Sequence, residues 1–201
     1  MNINIKDTLL AGERVTLECK KATKSVPSSL WDTYSAFANT YGGTILLGVV
    51  EHMDEQDNAK RFEIVGVEDA DKIRKDLWNI VNSKEKVNVN LLHDDDIQTI
   101  DFDGKEIIAI NVPRADYTVR PVYINNNLSR GTFKRNHEGD YHCTEQELKM
   151  MLRTMKLAMM DCCWNTTQWP TLTSQHWNDS VRCFRTCIQS INGTRQNIRS
   201  F

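Results

Sequence analysis

The sequence predicts an α/β (α+β) domain in which a mixed sheet of about six strands packs with two to three helices. Short segments that alternate between polar and apolar residues, or are wholly apolar and β-branched, recur between turn signals. Between them lie segments whose apolar residues follow helical spacing. The chain has 201 residues, 40% hydrophobic and 26% charged, which is typical of a globular domain that buries a core without disulfides.

The N-terminal half begins with a short helix over residues 4–11 and a strand over residues 14–20, whose residues alternate between the two faces. A helix over residues 29–41 starts at a serine, a preferred N-cap residue, and carries a stripe of aromatic and apolar side chains. Two glycines then end it. Residues 44–50 are nearly all apolar, which predicts a central strand buried on both faces.

A strand over residues 62–67 and a helix over residues 69–83 follow, and Asp69 suits the positive end of the helix dipole. Strands are then predicted over residues 87–92, 97–102, 106–113, 120–124 and 131–135. Asp103-Gly104 is a two-residue hairpin signal between two of these strands. The sequence from Thr144 to Glu147 matches a capping box and opens a last helix that runs to about residue 156.

Residues 157–201 are predicted to be a separate, poorly ordered tail. Four of the six cysteines and three of the five tryptophans lie there, and no helical or strand period persists. Disordered segments are usually poor in aromatic residues. An alternative is therefore a tail translated out of frame, since suitable codons from Met160 onward, shifted by two bases, can encode a segment with helical periodicity.

Composition excludes several classes of protein. The formal net charge is −2, so any affinity for polyanions must come from local clusters of cations. No apolar run approaches the roughly 18 residues of a membrane span, and the N-terminus lacks the pattern of a signal peptide. We therefore expect a cytoplasmic protein with reduced thiols and no membrane partner. The cysteines form no C-x-x-C pair, which argues against structural zinc.

Several motifs resemble the Schlafen AlbA-like (divergent AAA) domain. Residues 12–20 resemble its E-x-x-x-x-E-F-K opening, with Cys19 in place of the usual aromatic residue. Residues 35–49 match its most specific pattern, S-A-F-A-N-T-x-G-G followed by an apolar strand, and shorter matches lie at residues 64–67, 120–124 and 131–135. The resemblance covers roughly residues 5–156. It implies a nucleic-acid (DNA) binding module, as in bacterial transcriptional regulators.

Local groups of basic residues are the candidate binding residues for DNA or RNA. Clustered lysine and arginine bind phosphates and release counterions, which gives a salt-dependent affinity. The alternative for each residue is a solvated surface charge. The candidates are Lys20, Lys21, Lys24, Arg120, Arg130, Lys134 and Arg135, with His137 close behind. Candidate partners for stacking on unpaired bases are Tyr41, Tyr123, Phe133 and Tyr141.

The segment with Asn39, Thr40, Gly42 and Gly43 is a second candidate for phosphate contact. Glycines permit positive φ angles and a close approach of the backbone. Such a loop can direct exposed amides toward a phosphate. The alternative is a plain helix-to-strand turn without a ligand.

Some Schlafen-type domains resemble metal-dependent RNA endonucleases, and the matching acidic positions here are Glu13, Glu18 and Glu51. Three carboxylates could hold Mg²⁺ or Mn²⁺ and activate water. Glu13 and Glu18 are five residues apart and would face opposite sides of a straight strand, so convergence needs a turn or a bulge. The alternative is surface glutamates, with Glu18 paired to a lysine.

The sequence therefore leaves three functions open. They are a nucleic-acid-binding module, a divalent-metal-dependent RNA endonuclease, and an interaction domain that assembles homo-oligomers without affinity for nucleic acid. The chain has no G-x-x-x-x-G-K-[ST] stretch, so a P-loop ATPase lacks its phosphate cradle.

Overall fold

The computed structural model describes residues 15–52 and 61–165, with side chains described through residue 158. The predicted α+β class is confirmed. The strands are β1 (Leu17–Lys20), β2 (Gly43–Leu47), β3 (Val49–Glu51), β4 (Phe62–Ile64), β5 (Ile97–Phe102), β6 (Lys105–Val112), β7 (Phe133–Asn136) and β8 (Gly139–His142). The helices are α1 (Leu30–Asn39), α2 (Ala70–Val81) and α3 (Glu145–Asn165), with a 3-10 turn at Asp94–Asp96.

The chain divides into a unit of residues 1–159 and a second unit of residues 160–201. The helix predicted over residues 4–11 lies outside the described residues, and so does most of the predicted tail. The predicted disorder and the out-of-frame alternative for that tail stay predictions.

A four-stranded mixed sheet in the order β1-β2-β6-β5 forms the centre of the described fold. β1 runs parallel to β2, while β6 runs antiparallel to both of its neighbours. The pairs β3–β4 and β7–β8 form two separate antiparallel sheets. The strands are thus distributed over three small sheets, and β8 is a strand that the sequence analysis missed.

The single strand predicted over residues 44–50 is wrong, because Gly48 breaks it into β2 and β3. Gly48 has a φ of +91°, and a Cβ there would lie 2.9 Å from the backbone of Gly66. The Gly48 carbonyl accepts hydrogen bonds from Val65 and Gly66, at 2.9 and 2.8 Å. The same contact ends β4 at residue 64, three residues earlier than predicted. A close approach of two backbones therefore redirects both strands.

The predicted strands over residues 87–92 and 120–124 are also wrong. The two segments meet in a single isolated bridge, because side chains take the hydrogen bonds that a ladder would use. The Asn88 side chain accepts from the Tyr123 amide at 2.7 Å. The buried Tyr34 hydroxyl on α1 donates to one backbone carbonyl of residues 87–92 and accepts from one amide, at 3.1 and 2.8 Å.

The local capping and turn signals at α2, at the β5–β6 turn and at α3 are confirmed, whereas the Ser29 side chain makes no capping hydrogen bond at the start of α1. The Asp69 carboxylate caps α2 by accepting an amide hydrogen bond three residues on, at 2.9 Å. The Asp103-Gly104 turn joins β5 to β6 with φ angles of 51° and 77°. At α3 the Thr144 amide donates to the Glu147 carboxylate at 2.8 Å, and the Glu147 amide donates to the Thr144 hydroxyl at 3.3 Å. This helix continues to residue 165, past the predicted end at 156.

The helix α1 lies inside the domain, since nine of its ten residues are buried. Its side chains Tyr34 and Phe37 pack in the larger apolar cluster, together with one face of the central sheet. A helix buried on all sides has no solvent to satisfy its polar groups. Each polar side chain of α1 must therefore find a partner within the protein.

Two polar residues on one face of α1 supply hydrogen bonds to the segments that pass beside it. The Asn39 side chain donates to the carbonyls of Val122 and Phe133, at 2.8 and 2.9 Å, and accepts from the Val122 amide at 2.8 Å. The Ser35 hydroxyl donates to the Val122 carbonyl at 2.8 Å and accepts from the Phe133 amide at 3.0 Å. These two side chains act as a substitute for a neighbouring strand.

We expect Asn39→Ala to lower the free energy of unfolding by about 2–5 kcal/mol, because it leaves the Val122 amide and the Phe133 carbonyl buried without this partner. Denaturant unfolding measures the effect. Asn79→Ala is the matched control, since Asn79 is exposed on α2 and alanine favours a helix by at most ~0.7 kcal/mol. Similar losses in both variants would contradict the role of Asn39.

The start of α3 is tied to β7 by an ion pair. Lys134 Nζ lies 2.5 Å from Glu147 Oε1, and both side chains are about one-third exposed. The hydrogen bond from Lys134, followed by that from the Thr144 amide, lowers the pKa of Glu147 to about 2. A carboxyl with a lowered pKa stabilises the fold above its ordinary pKa of 4.5, and that contribution is lost as the pH falls toward 2.

We expect Glu147→Gln to be less stable than the wild type above pH 4.5 and equally stable near pH 2. The reason is that the wild-type carboxylate becomes protonated between pH 4.5 and pH 2, and the protonated group no longer gains stability from its charged contact with Lys134. Denaturant unfolding from pH 7 to pH 2 measures the gap. Glu145→Gln, which alters the exposed pair with Lys149 on the same helix, is the control. If Glu145→Gln differed from the wild type in stability by the same amount and with the same pH dependence, the role of the Lys134 contact would be contradicted.

Candidate nucleic-acid interface

Carboxylates neutralise three of the seven cations that the sequence places in a binding face. Lys20 pairs with Glu18 at 3.0 Å, and its side chain is 12% exposed. Lys134 pairs with Glu147, and Arg135 pairs with two carboxylates at once. These three residues hold elements of the fold together, so they have little cationic surface left for a phosphate.

Arg135 is the centre of a buried ion network between β1 and the β7–β8 hairpin. Its guanidinium lies 2.9 Å from Glu18 and 3.0 Å from Asp140, and its side chain is 1% exposed. The guanidinium carbon also lies 5.1 Å from the centroid of the Phe37 ring on α1. Burial works against its charge, but the hydrogen bonds and charges of Asp140 and Glu18 outweigh burial and raise its pKa. The structure thus gives Arg135 a structural role.

The first turn of α1 joins the same network. Thr33 Oγ1 donates to the second oxygen of Asp140 at 2.6 Å. Burial, followed by the charge of Asp140, raises the pKa of Asp32, the residue that precedes Thr33 in the helix. Lys20 and Lys86 partly offset this effect, which places both lysines near the N-terminal end of α1.

The two described members of the proposed acidic triad are both engaged by cations. Glu18 contacts Lys20 and Arg135, so it is paired with a lysine, as in the alternative interpretation of this residue. Glu51 accepts from the guanidinium of Arg61 at 2.5 and 2.6 Å. Glu13 lies outside the described residues. Within residues 15–52 and 61–158, no group of three or more histidine, cysteine, aspartate or glutamate side chains could hold a metal ion. Glu18 and Glu51 are thus each paired with a cation, and the metal site formed with Glu13 stays a prediction.

The glycine turn after α1 is explained by close packing. The amides of Thr40 and Gly42 both donate to the Phe37 carbonyl, at 3.1 and 2.8 Å, so neither is directed at a ligand. Gly42 has a φ of +74°, and a Cβ there would lie 2.9 Å from the Arg114 amide. A Cβ on Gly43 would lie 2.7 Å from the Phe37 ring. The residues expected to cradle a phosphate thus close the helix onto the sheet.

The other four candidate cations are spread around the two ends of α1. Lys21 and Lys24 follow β1 near the N-terminal end, and Lys24 makes only a long, exposed contact of 3.5 Å with Glu68. Arg130 is exposed on a loop whose Asn125 amide donates to the Lys86 carbonyl. Within the described side chains, Lys21, Arg120 and Arg130 form no salt bridge. The structure therefore divides the predicted binding face into two groups.

At the C-terminal end of α1, the loop of residues 113–120 docks on the last helical carbonyls. The Ala115 amide donates to the Ala38 carbonyl at 2.8 Å, and Arg120 Nη1 donates to the Asn39 carbonyl at 3.3 Å. Burial, followed by the nearby charge of Arg114, lowers the pKa of Arg120. The Arg114 amide lies beside Gly42 and the Arg120 guanidinium reaches Asn39, so both arginines lie where the helix ends, and we name them the arginine pair.

The aromatic candidates differ in their exposure. Tyr41 is 66% exposed and Tyr141 is 55% exposed, whereas Phe133 is buried and Tyr123 is half-buried. The sequence analysis missed Tyr117, which is 50% exposed on the 113–120 loop, and it also missed Arg114. The sequence does contain a signal for them, because Arg114 and Tyr117 follow the predicted strand over residues 106–113. An aromatic residue in such a polar loop is unusual.

We expect Arg135→Met to lower the free energy of unfolding by about 3–5 kcal/mol, because it leaves Asp140 without its buried counter-charge and Glu18 with Lys20 alone. Lys134→Met on the same strand is the matched control. It breaks a part-exposed pair and is expected to cost no more than about 1 kcal/mol. Thermal and denaturant unfolding measure both variants. Equal stability of the two variants would contradict a structural role for Arg135.

No helix in the described part of the chain has the length and apolar character needed to cross a membrane.

Comparisons with known proteins agree with the motifs in the sequence. Residues 13–144 match the family model described as Schlafen, AlbA_2. The N-terminal domain of an ATP-dependent DNA helicase RecG-related protein from Nitrosomonas europaea, solved by NMR, is 30% identical with a TM-score of 0.49. The match covers 69% of this chain and 90% of that one.

A second solved structure, the DIP2311 protein from Corynebacterium diphtheriae, is 18% identical with a TM-score of 0.48. That match covers 74% of this chain and 27% of that chain. No curated protein matches the sequence. Because the family model spans more than half of the chain, the predicted resemblance is confirmed, and the protein belongs to the Schlafen AlbA_2 family.

Proposed function

We propose that this domain binds nucleic acid through its phosphates, as the DNA-binding module of a bacterial, cytoplasmic regulator of transcription. The observation that carries the proposal is the arginine pair, Arg114 and Arg120, at the end of α1. Membership of the family supports it. Burial raises the pKa of the Cys143 thiol to about 11, so the thiol stays protonated at neutral pH.

The arginine pair is poorly neutralised by its own loop. Asp116 is the carboxylate of that loop, and its Oδ1 accepts hydrogen bonds from the Thr118 amide and hydroxyl, at 2.8 and 2.7 Å. The loop of residues 113–120 thus carries one carboxylate and two arginines. A phosphate bound between Arg114 and Arg120 would relieve their repulsion and accept several charge-assisted hydrogen bonds.

The cations at the other end of α1 extend the proposed surface. Lys21, Lys24 and Arg130 are exposed there. A helix of ten residues is ~15 Å long, and phosphates along one strand of a duplex repeat about every 3.4 Å along its axis. The two groups of cations can therefore contact phosphates that are roughly four nucleotides apart.

We expect a labelled DNA of about 20 nucleotides to bind with an affinity that falls as salt rises, because bound phosphates release counterions. Arg114→Gln and Arg120→Gln are each expected to reduce the slope of log K against log salt by about 0.7–0.9. Fluorescence anisotropy at several salt concentrations measures both quantities.

Arg153→Gln, an exposed arginine on α3, is the matched control and is expected to leave the slope unchanged. Because Arg120 also contacts the Asn39 carbonyl, its variant is compared with the wild type in thermal unfolding. Binding that is absent or independent of salt would exclude the proposed function. An equal effect of Arg153→Gln would exclude the arginine pair as its site.

A further inference from the structure

We propose that the end of α1 is a stacking platform that selects single-stranded over double-stranded nucleic acid. Unpaired bases would stack on Tyr41 and Tyr117, while Arg114 and Arg120 hold the adjacent phosphates. The inference rests on the proposed nucleic-acid binding and adds the class of substrate. Among the described residues, neither tyrosine hydroxyl has a hydrogen-bond partner, and both side chains are at least half exposed.

Exposed aromatic surface is concentrated at this end of the helix. Within the described side chains, six large hydrophobic residues are exposed, and three of them lie here: Tyr41 at 66%, Tyr117 at 50% and Val119 at 37%. The rest of α1 is buried almost completely. A polar-rimmed apolar patch on an otherwise well-packed surface commonly marks a binding site.

Backbone contacts place the two tyrosines and the two arginines in one small region. Gly42 follows Tyr41 directly, and the position of a Cβ on Gly42 lies 2.9 Å from the Arg114 amide. Arg120 reaches the Asn39 carbonyl, two residues before Tyr41. Tyr117 lies between the two arginines on the same loop. All four residues therefore lie on the 113–120 loop or on the end of α1 that this loop contacts.

The loop that carries Tyr117 is held in a fixed shape before any ligand binds. The amides of Val119 and Arg120 both donate to the Asp116 carbonyl at 3.1 Å. The Asp116 carboxylate in turn accepts from Thr118. The Ala115 amide anchors the other side of the loop on α1. Binding would therefore cost little additional ordering of the backbone.

This combination of side chains suits an unpaired strand. Every base has a π-face, so stacking on tyrosine tolerates any sequence, whereas the bases of a duplex already stack on one another. The guanidinium groups supply the salt-dependent contacts to the backbone. DNA and RNA share both features, so the test includes a single strand of each.

The test uses labelled oligonucleotides of about 12 nucleotides: single-stranded DNA, single-stranded RNA and a DNA duplex. The full chain is expected to prefer at least one of the single strands over the duplex. Tyr41→Ala and Tyr117→Ala are each expected to weaken single-strand binding roughly fivefold or more, at the low end of the range for stacked bases, with the duplex unaffected. Tyr41→Phe and Tyr117→Phe keep the π-face and are expected to bind like the wild type.

Met150→Ala is the control, because Met150 is a similarly exposed large side chain but lies on α3, outside every candidate binding residue. A single strand and a duplex bound equally, or tyrosine-to-alanine variants that match Met150→Ala, would overturn the platform while salt-dependent binding still stood. Failure of all three oligonucleotides to bind would overturn the proposed function together with the platform. Thermal unfolding of each variant separates a loss of stacking from a loss of fold.

Discussion

The fold depends on a buried polar face of α1 that takes the place of a neighbouring strand. Ser35 and Asn39 lie one helical turn apart and bond to the backbone near Val122 and Phe133. The Val122 segment has few other backbone partners in the described chain, since residues 120–124 form only isolated bridges. Because an unpaired buried amide or carbonyl costs about 1–3 kcal/mol, these two side chains fix where both segments can lie. The position of β7, and with it the buried ion network, follows from this contact.

The same contact determines the shape of the proposed binding region. Once Asn39 holds the Val122 backbone, the preceding residues must cross the end of α1, and Arg120 reaches the last helical carbonyls. The polar residues of the motif are then used internally, and so are the amides of its glycine turn. Tyr41, which lies between Thr40 and Gly42, remains exposed, so packing places no constraint on its side chain. A motif whose polar residues hold the fold together thus leaves the Tyr41 side chain exposed.

Periodicity and local signals predicted much of this fold, because they depend on residues close in sequence. The cap of α2, the β5–β6 turn and the capping box of α3 are of this kind. Contacts between distant segments were not accessible in this way. Nothing near Asn88 indicates that its side chain would replace a ladder bond to Tyr123. Arg135 is an intermediate case, since it shares a face with the buried Phe133, but its two carboxylate partners lie 117 and five residues away.

The distribution of charge explains why a chain with a net charge of −2 can present a local cationic surface. Three of the cations form ion pairs with carboxylates that connect strands and helices: Lys20, Lys134 and Arg135. Such pairs produce little electrostatic field beyond their own contact. The cations outside these pairs, such as Arg114 and Arg120, act over about one Debye length, roughly 8–10 Å at physiological salt. Long-range attraction of a polyanion is therefore weak, and short-range contacts must supply selectivity. The proposed stacking of bases on tyrosine is a contact of this kind, so the proposal depends on aromatic residues beside the arginine pair more than on the total charge.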